Sequence, residues 1–176
     1  LWKKGCPAWR HLDNYPPLRQ DKAAALLKEK EICFNQPSIL YTVPSRWMEQ
    51  QFRQSCIKDR ACICIPNSLD PDIWKPLDKP SLRERYDLPG DKHVLAFVAA
   101  DPQKKSKGMN LLLDALKFLP DAEHYVLLIA GRDGGLEKIQ DQGFSIRHFG
   151  YITDQKKMNE FYAMADLLVN PSLYET

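Results

Sequence analysis

A parallel β-sheet wound on both faces by helices is the fold class that this 176-residue chain predicts, on three observations. From His93 onward, short strand-like runs alternate with helix-like patterns, the order expected of a sheet built from strand–helix–strand crossovers. The strand runs, such as Val94-Leu-Ala-Phe-Val98, are apolar at consecutive rather than alternate positions, the mark of a strand covered on both sides. A composition of 44% hydrophobic and 27% charged residues supplies enough apolar surface for a buried core.

The elements follow in chain order. Residues 1–20 mix aromatics with prolines and show no sustained period, so they read as an irregular packed segment. Residues 21–31 open on Asp21, a good N-cap, and carry Ala24, Leu27 and then Ile32 at helical spacing, which predicts a helix. Residues 38–44 are rich in β-branched and aromatic side chains and predict a strand, followed by Ser45 as the cap of a helix over 46–55. Residues 61–66 predict a second strand, in which alternating Cys62 and Cys64 share one face as small buried side chains. The stretch 67–80, with its prolines and aspartates, marks a domain boundary. This divides the chain into 1–66, a linker 67–80, and 81–176.

Beyond the linker, 81–89 predicts a short capped helix and 93–100 a strand. Residues 108–119 predict a helix with Leu111, Leu112, Ala115, Leu116 and Leu119 inward. Residues 124–131 predict a strand, 136–142 a short helix and 146–152 a strand. Residues 154–165 predict a helix with Met158, Phe161, Tyr162 and Ala165 on one face, and 166–170 a last apolar strand. Trp47, Phe52 and Trp74 are expected to pack in a core or between domains.

Several functions are disfavoured at once. A net charge of +2 without any block of like charges argues against nucleic-acid binding over the surface. The five cysteines lack the paired spacing of a structural zinc site and read as reduced thiols. With no apolar run near the ~20 residues of a membrane span, the expected location is cytoplasmic. Asp70-Pro-Asp72 imitates a metal-binding pair but lies in the linker, and the four histidines are scattered outside any nucleophile motif, so no metal site is expected.

The loop Asp101-Pro-Gln-Lys-Lys-Ser-Lys-Gly108 is where chemistry concentrates. It joins a strand to the start of a helix and carries Lys104, Lys105 and Lys107 before Gly108. A helix start presents free N–H groups and partial positive charge, glycine permits close backbone approach, and lysine adds a compact cation. These features suit a phosphate, although they match neither the Walker pattern nor, at Gly131-Arg-Asp-Gly-Gly135, the dinucleotide pattern.

In one order along the chain stand Ile65-Pro-Asn-Ser-Leu-Asp70 with Trp74-Lys-Pro76, Ser106-Lys-Gly-Met-Asn-Leu-Leu-Leu-Asp-Ala-Leu116, Ile129-Ala-Gly131, Phe149-Gly150, Tyr162-Ala-Met-Ala-Asp166 and Pro171-Ser-Leu-Tyr-Glu175. This order resembles the family-four retaining glycosyltransferases, and Tyr41-Thr-Val-Pro-Ser-Arg-Trp47 with the pieces upstream is similar to bacterial members that build surface polysaccharides. The resemblance implies a glycosyltransferase-B architecture of two Rossmann-like domains. Residues 1–66 would end the N-terminal, acceptor-side domain, and 81–176 would form a truncated nucleotide-sugar-binding domain. It implies that Lys107 binds the donor diphosphate, with Gly108, Lys104 and Lys105 beside it, and that Glu175 contacts the donor sugar as the first of two glutamates. Gly131, Arg132, Gly150, Tyr151 and Ile152 would line the nucleotide. An arginine that members carry a few residues before the lysine is replaced here, near Ala100 or Asp101, leaving Lys104 or Lys105 to substitute.

The implied activity is transfer of a hexosyl unit, with retention, from a UDP- or GDP-linked sugar to a polysaccharide or lipid-linked acceptor. No other cofactor is implied, and the acceptor class is compatible with peripheral association of the full-length enzyme at the inner face of the membrane. A non-catalytic nucleotide-binding module and a sugar-nucleotide epimerase remain as alternatives. Because Glu175 is followed by Thr176 alone, the chain is expected to be a fragment, inactive by itself.

Overall fold

A computed structural model describes residues 23–132 and 143–173. The chain divides into two compact units after Ser68.

In the first unit, helix α1 (Ala23–Phe34) precedes strand β1 (Tyr41–Val43), helix α2 (Arg46–Phe52) and strand β2 (Cys62–Cys64). The strands pair in parallel, Tyr41 with Cys62 and Val43 with Cys64, so α2 is the crossover of a βαβ unit. Ser45 starts α2 as expected, its hydroxyl accepting the Met48 N–H at 3.1 Å. Phe52 is buried and its ring lies 5.3 Å from that of Tyr41. Cys62 and Cys64 share the more covered face, with Ile63 exposed between them, and both are half-buried rather than buried. They are free thiols, as are Cys33 and Cys56. Ile32 of α1 is 70% exposed, so helical spacing did not report burial there, and Trp47 of α2 is 56% exposed.

The second unit begins within the stretch read as linker, most of whose residues are exposed. Asp70 closes a turn by accepting the Asp72 N–H at 2.9 Å, which gives this carboxylate a local backbone role. Trp74 lies against Tyr162, and the Lys75 carbonyl accepts from Asn159 Nδ2 at 2.9 Å. Helix α3 (Lys79–Arg85) then starts two residues earlier than the sequence suggests, because the Asp78 carboxylate caps the Ser81 N–H and Pro80 fits a first turn.

Strands β3 (His93–Val98), β4 (Tyr125–Ala130), β5 (Ser145–His148) and β6 (Leu167–Leu168) form one parallel sheet in the order β5-β4-β3-β6. Helices α4 (Met109–Leu116) and α5 (Gln155–Met164) complete the unit. One face of the sheet, through Leu95, Phe97, Leu127 and Ile129, buries Met109, Leu112, Leu113 and Leu116 of α4. The other, through Val94, Ala96, Val126 and Leu128, buries Leu82 of α3 with Phe161 and Met164 of α5. The Rossmann-like, doubly wound α/β fold expected from the sequence is therefore present.

Details differ from the sequence reading for local reasons. The inward stripe of α4 runs Met109, Leu112, Leu113, Leu116, and Leu111 is 52% exposed. Strand β5 ends at His148 because Gly150, at φ +68°, turns the backbone out of the extended range. Among the described residues strand β6 is the outermost strand of the sheet, and Leu167 and Leu168 are exposed. The short helix expected over 136–142, the Asp21 cap and Glu175 lie outside the described residues.

Asp166, just before β6, ties the amino-terminal ends of the sheet together. Its carboxylate accepts from Lys79 at 2.9 Å, from Arg83 at 2.7 Å and from the Val94 N–H at 2.8 Å. Burial opposes its ionisation, but these three donors outweigh burial and hold the carboxyl well below the usual carboxylate range. Arg83 is buried and also donates to the Met164 carbonyl at 3.0 and 2.9 Å. No helix among the described residues is long and apolar enough to cross a membrane.

Candidate functional site

Strand order reverses between β3 and β6, since the chain leaves β3 toward β4 and returns to the opposite side of β3 only at β6. In open parallel sheets the crevice beyond the carboxyl ends at such a point is where ligands bind. The loops leaving β3 and β6 meet there. After β3, Asp101 makes a turn, its carboxylate accepting the Gln103 N–H at 3.1 Å and its carbonyl the Lys104 N–H at 3.2 Å. The position near Ala100 and Asp101 is thus occupied by turn-forming backbone. A single 3-10 turn, Lys105–Lys107, leads to Gly108, which starts α4.

Gly108 has φ +74°, and a Cβ there would overlap the backbone carbonyl of Pro171 in the loop after β6. Glycine is required on both counts. The two loops are also bonded, with the Leu173 N–H donating to the Ser106 carbonyl at 2.8 Å. Gly108 is the N-cap of α4 and provides no side-chain hydrogen bond to the first-turn N–H groups. Lys107 is half-buried beside it, while Lys104 and Lys105 are exposed. Pro102, Met109, Leu111 and Leu173 give a small adjoining hollow of about 240 Å³ an apolar floor, with Lys104 and Lys105 on its wall. A larger hollow of about 420 Å³ lies at Lys79, Arg83 and Gly90. Its two cations are already bound to Asp166, so the smaller hollow at the strand exits is the better candidate.

The exits of β4 and β5 join the same edge. Gly131 donates its N–H to the Gly150 carbonyl at 2.9 Å, and Arg132 donates its N–H to the Ala100 carbonyl at 3.2 Å. A Cβ on Gly131 would collide with the Ala99 carbonyl and the Pro102 ring. The Gly131 carbonyl is bonded to His148 Nε2 at 3.1 Å, a contact that the sequence did not suggest. The Arg132 guanidinium lies over the Tyr151 ring, 5.8 Å from its centre. Ile152 is turned inward and packs with Phe161 and Leu128. The fold therefore gathers Lys104, Lys105, Lys107, Gly108, Gly131, Arg132, Gly150 and Tyr151 at the strand exits, whereas Ile152 is a core contact. The bond from Leu173 to Ser106 and the roles of Pro102 and His148 were missed. Their only sequence signals were a proline after a strand and a histidine at a strand end. Among the described residues no three His, Cys, Asp or Glu side chains cluster in a way that could hold a metal ion.

Fold and site together define a Rossmann-like unit with a basic loop leading into a glycine-started helix at its switch point. Residues 92–176 match the family described as Glycosyl transferases group 1. The whole chain is similar in structure to sucrose-phosphate synthase from Thermosynechococcus elongatus, with a TM-score of 0.71 at 19% identity, covering 98% of this chain and 42% of that one. It is also similar to Alr3699/HepE of Anabaena in complex with UDP-glucose (TM-score 0.63, 18% identity, 84% and 42% covered). A glycosyltransferase from Rickettsia africae gives a TM-score of 0.61 at 19% identity, with 82% and 42% covered. The chain thus spans about two fifths of the length of these structures. No curated protein matches it by sequence.

Proposed function

We propose that this chain carries the donor-binding part of a retaining hexosyltransferase that moves a sugar from a UDP- or GDP-linked donor to a polysaccharide or lipid-linked acceptor. The observation that carries this reading is the bond from Leu173 to Ser106, which joins the loop after β6 to the lysine-rich loop after β3 at the switch point. The UDP-glucose bound by the Anabaena protein of similar fold supports a nucleotide sugar as donor. Retention and acceptor class rest on the family resemblance, as do the cytoplasmic location and the division into acceptor-side and donor-side domains.

On this reading the diphosphate lies against the uncapped first turn of α4 and Lys107. As the bond from the sugar to the diphosphate breaks, negative charge grows on the departing phosphate oxygen. Fixed N–H groups and an ammonium aimed at that oxygen stabilise the transition state more than the ground state. The sugar hydroxyls fall to Glu175, two residues beyond Leu173. Calorimetric titration with UDP, GDP and their glucose and mannose conjugates tests the reading. One nucleotide series should bind, and Lys107→Ala should weaken its diphosphate by about 10-fold, the scale of a charge-assisted hydrogen bond. Absence of binding in both series would overturn the proposal.

A further inference from the structure

We infer that Arg132 is the guanidinium that grips the donor diphosphate and that Tyr151 is the residue that positions it; the inference rests on the nucleotide-sugar reading above. The charges of the β3 loop are lysines, compact cations that cannot present two parallel N–H donors to a phosphate. Arginine can, and the unit's arginines sort clearly by their partners. Arg83 is bound to Asp166 and the Met164 carbonyl, Arg85 to Glu160, and Arg147 to Asp87. Arg132 instead lies at the strand exits, on an aromatic face.

Its backbone position is fixed from two sides. The Arg132 N–H is held by Ala100, the residue that begins the loop leading to Lys107 and Gly108. Preceding Gly131 is bonded to Gly150 and packed so tightly on Ala99 and Pro102 that no side chain fits there. Arg132 thus leaves the sheet at the end of β4, between the exits of β3 and β5. Both Arg132 and Tyr151 are exposed. A cation over an aromatic ring keeps its in-plane N–H donors free to bind an anion while losing rotational freedom, so stacking orders the fork without consuming it. Gly150 sets this geometry: the backbone turns at φ +68° there and carries Tyr151 out of the sheet toward the end of β4.

The test measures affinity for the nucleoside, its monophosphate and its diphosphate, in whichever of the uridine and guanosine series binds, by the full chain and five variants, Lys107→Ala among them. Arg132→Ala should lose about 10- to 100-fold in diphosphate affinity. The nucleoside should change less than about threefold, because one charged anchor is removed and the base contacts are not. Arg132→Lys should recover only part of the loss, since charge returns without the fork. Tyr151→Leu should lower the diphosphate-to-nucleoside ratio by about threefold, and Tyr151→Phe should restore it, because the ring face and not the hydroxyl orders the guanidinium. Wild-type diphosphate affinity in Arg132→Ala, with Lys107→Ala still impaired, overturns this inference and leaves the nucleotide-sugar reading intact. Equal losses for nucleoside and diphosphate overturn it as well, since they indicate a disturbed fold. If the unsubstituted chain binds neither series, both readings fall.

Discussion

Replacing Gly108 by alanine sets a methyl group against the backbone of Pro171, and its cost divides into two parts. At φ +74° an alanine occupies the left-handed region, at about 1–2 kcal/mol. Its Cβ would also overlap the Pro171 carbonyl, which no rotamer change can relieve because the obstructing atoms are backbone. The loop after β6 must retreat by roughly 1 Å to reach ordinary contact. That retreat breaks the bond from Leu173 to Ser106, worth about 1 kcal/mol. The sum is about 2–3 kcal/mol, or roughly 4–12 °C in melting temperature for a chain of this size. Gly150→Ala is the control, since Gly150 shares the positive φ but a Cβ there meets no atom within 4 Å. It should lose only the conformational part. Thermal unfolding of both variants, followed by nucleotide titration below their melting points, reads out the difference. If Gly108→Ala proves no less stable than Gly150→Ala, the two loops are not in contact, and the switch-point site as described is wrong.

Three further outcomes concern the scaffold. Asp166→Asn should lose about 1–3 kcal/mol at neutral pH, because buried Arg83 keeps only neutral partners. The Asp166 carboxyl is held below its unfolded value, so its contribution is complete above about pH 5 and fades as the pH falls below the ordinary value near 3.9. Denaturant titrations should therefore show wild type and variant converging in acid, and divergence there would contradict the assignment. Tyr86 donates its hydroxyl to Glu160 at 2.5 Å, and this bond, reinforced by burial, raises its phenol above the ordinary range. Tyr86→Phe should lose about 1 kcal/mol at pH 7. Because the folded value is raised, that difference should persist below about pH 10 and close as the pH climbs beyond it. Leu113→Ala should lose about 2–4 kcal/mol, as Leu113 is buried under α4, while Leu111→Ala should change stability by less than about 0.5 kcal/mol. Equal losses would mean that α4 is rotated from its described face.

Much of the scaffold was legible before the structure. Continuous apolar runs marked β3 and β4 as strands covered on both faces, and Ser45 announced the helix it caps. The loop carrying Lys107 and Gly108 stood out because its chemistry is local: a strand exit, consecutive cations and a glycine at a helix start. Burial was less legible. Leu111 and Leu113 are equally apolar, and only the angle at which α4 lies on the sheet decides which one faces it. Arg83 is buried, and Asp166, far along the chain, gives it the charge partner that makes burial tolerable.

The sequence by itself determined the strand and helix periods, the Ser45 cap and the basic loop, since each depends on neighbours within a turn or two. Only the tertiary structure decided that β6 returns beside β3, that Leu173 is bonded to Ser106, and that Arg132 and Tyr151 meet at the same edge. Those contacts join residues whose separation along the chain carries no periodic signal. They exist because strand order, set by how the helices cover both faces of the sheet, brings the exits of β3, β4, β5 and β6 together.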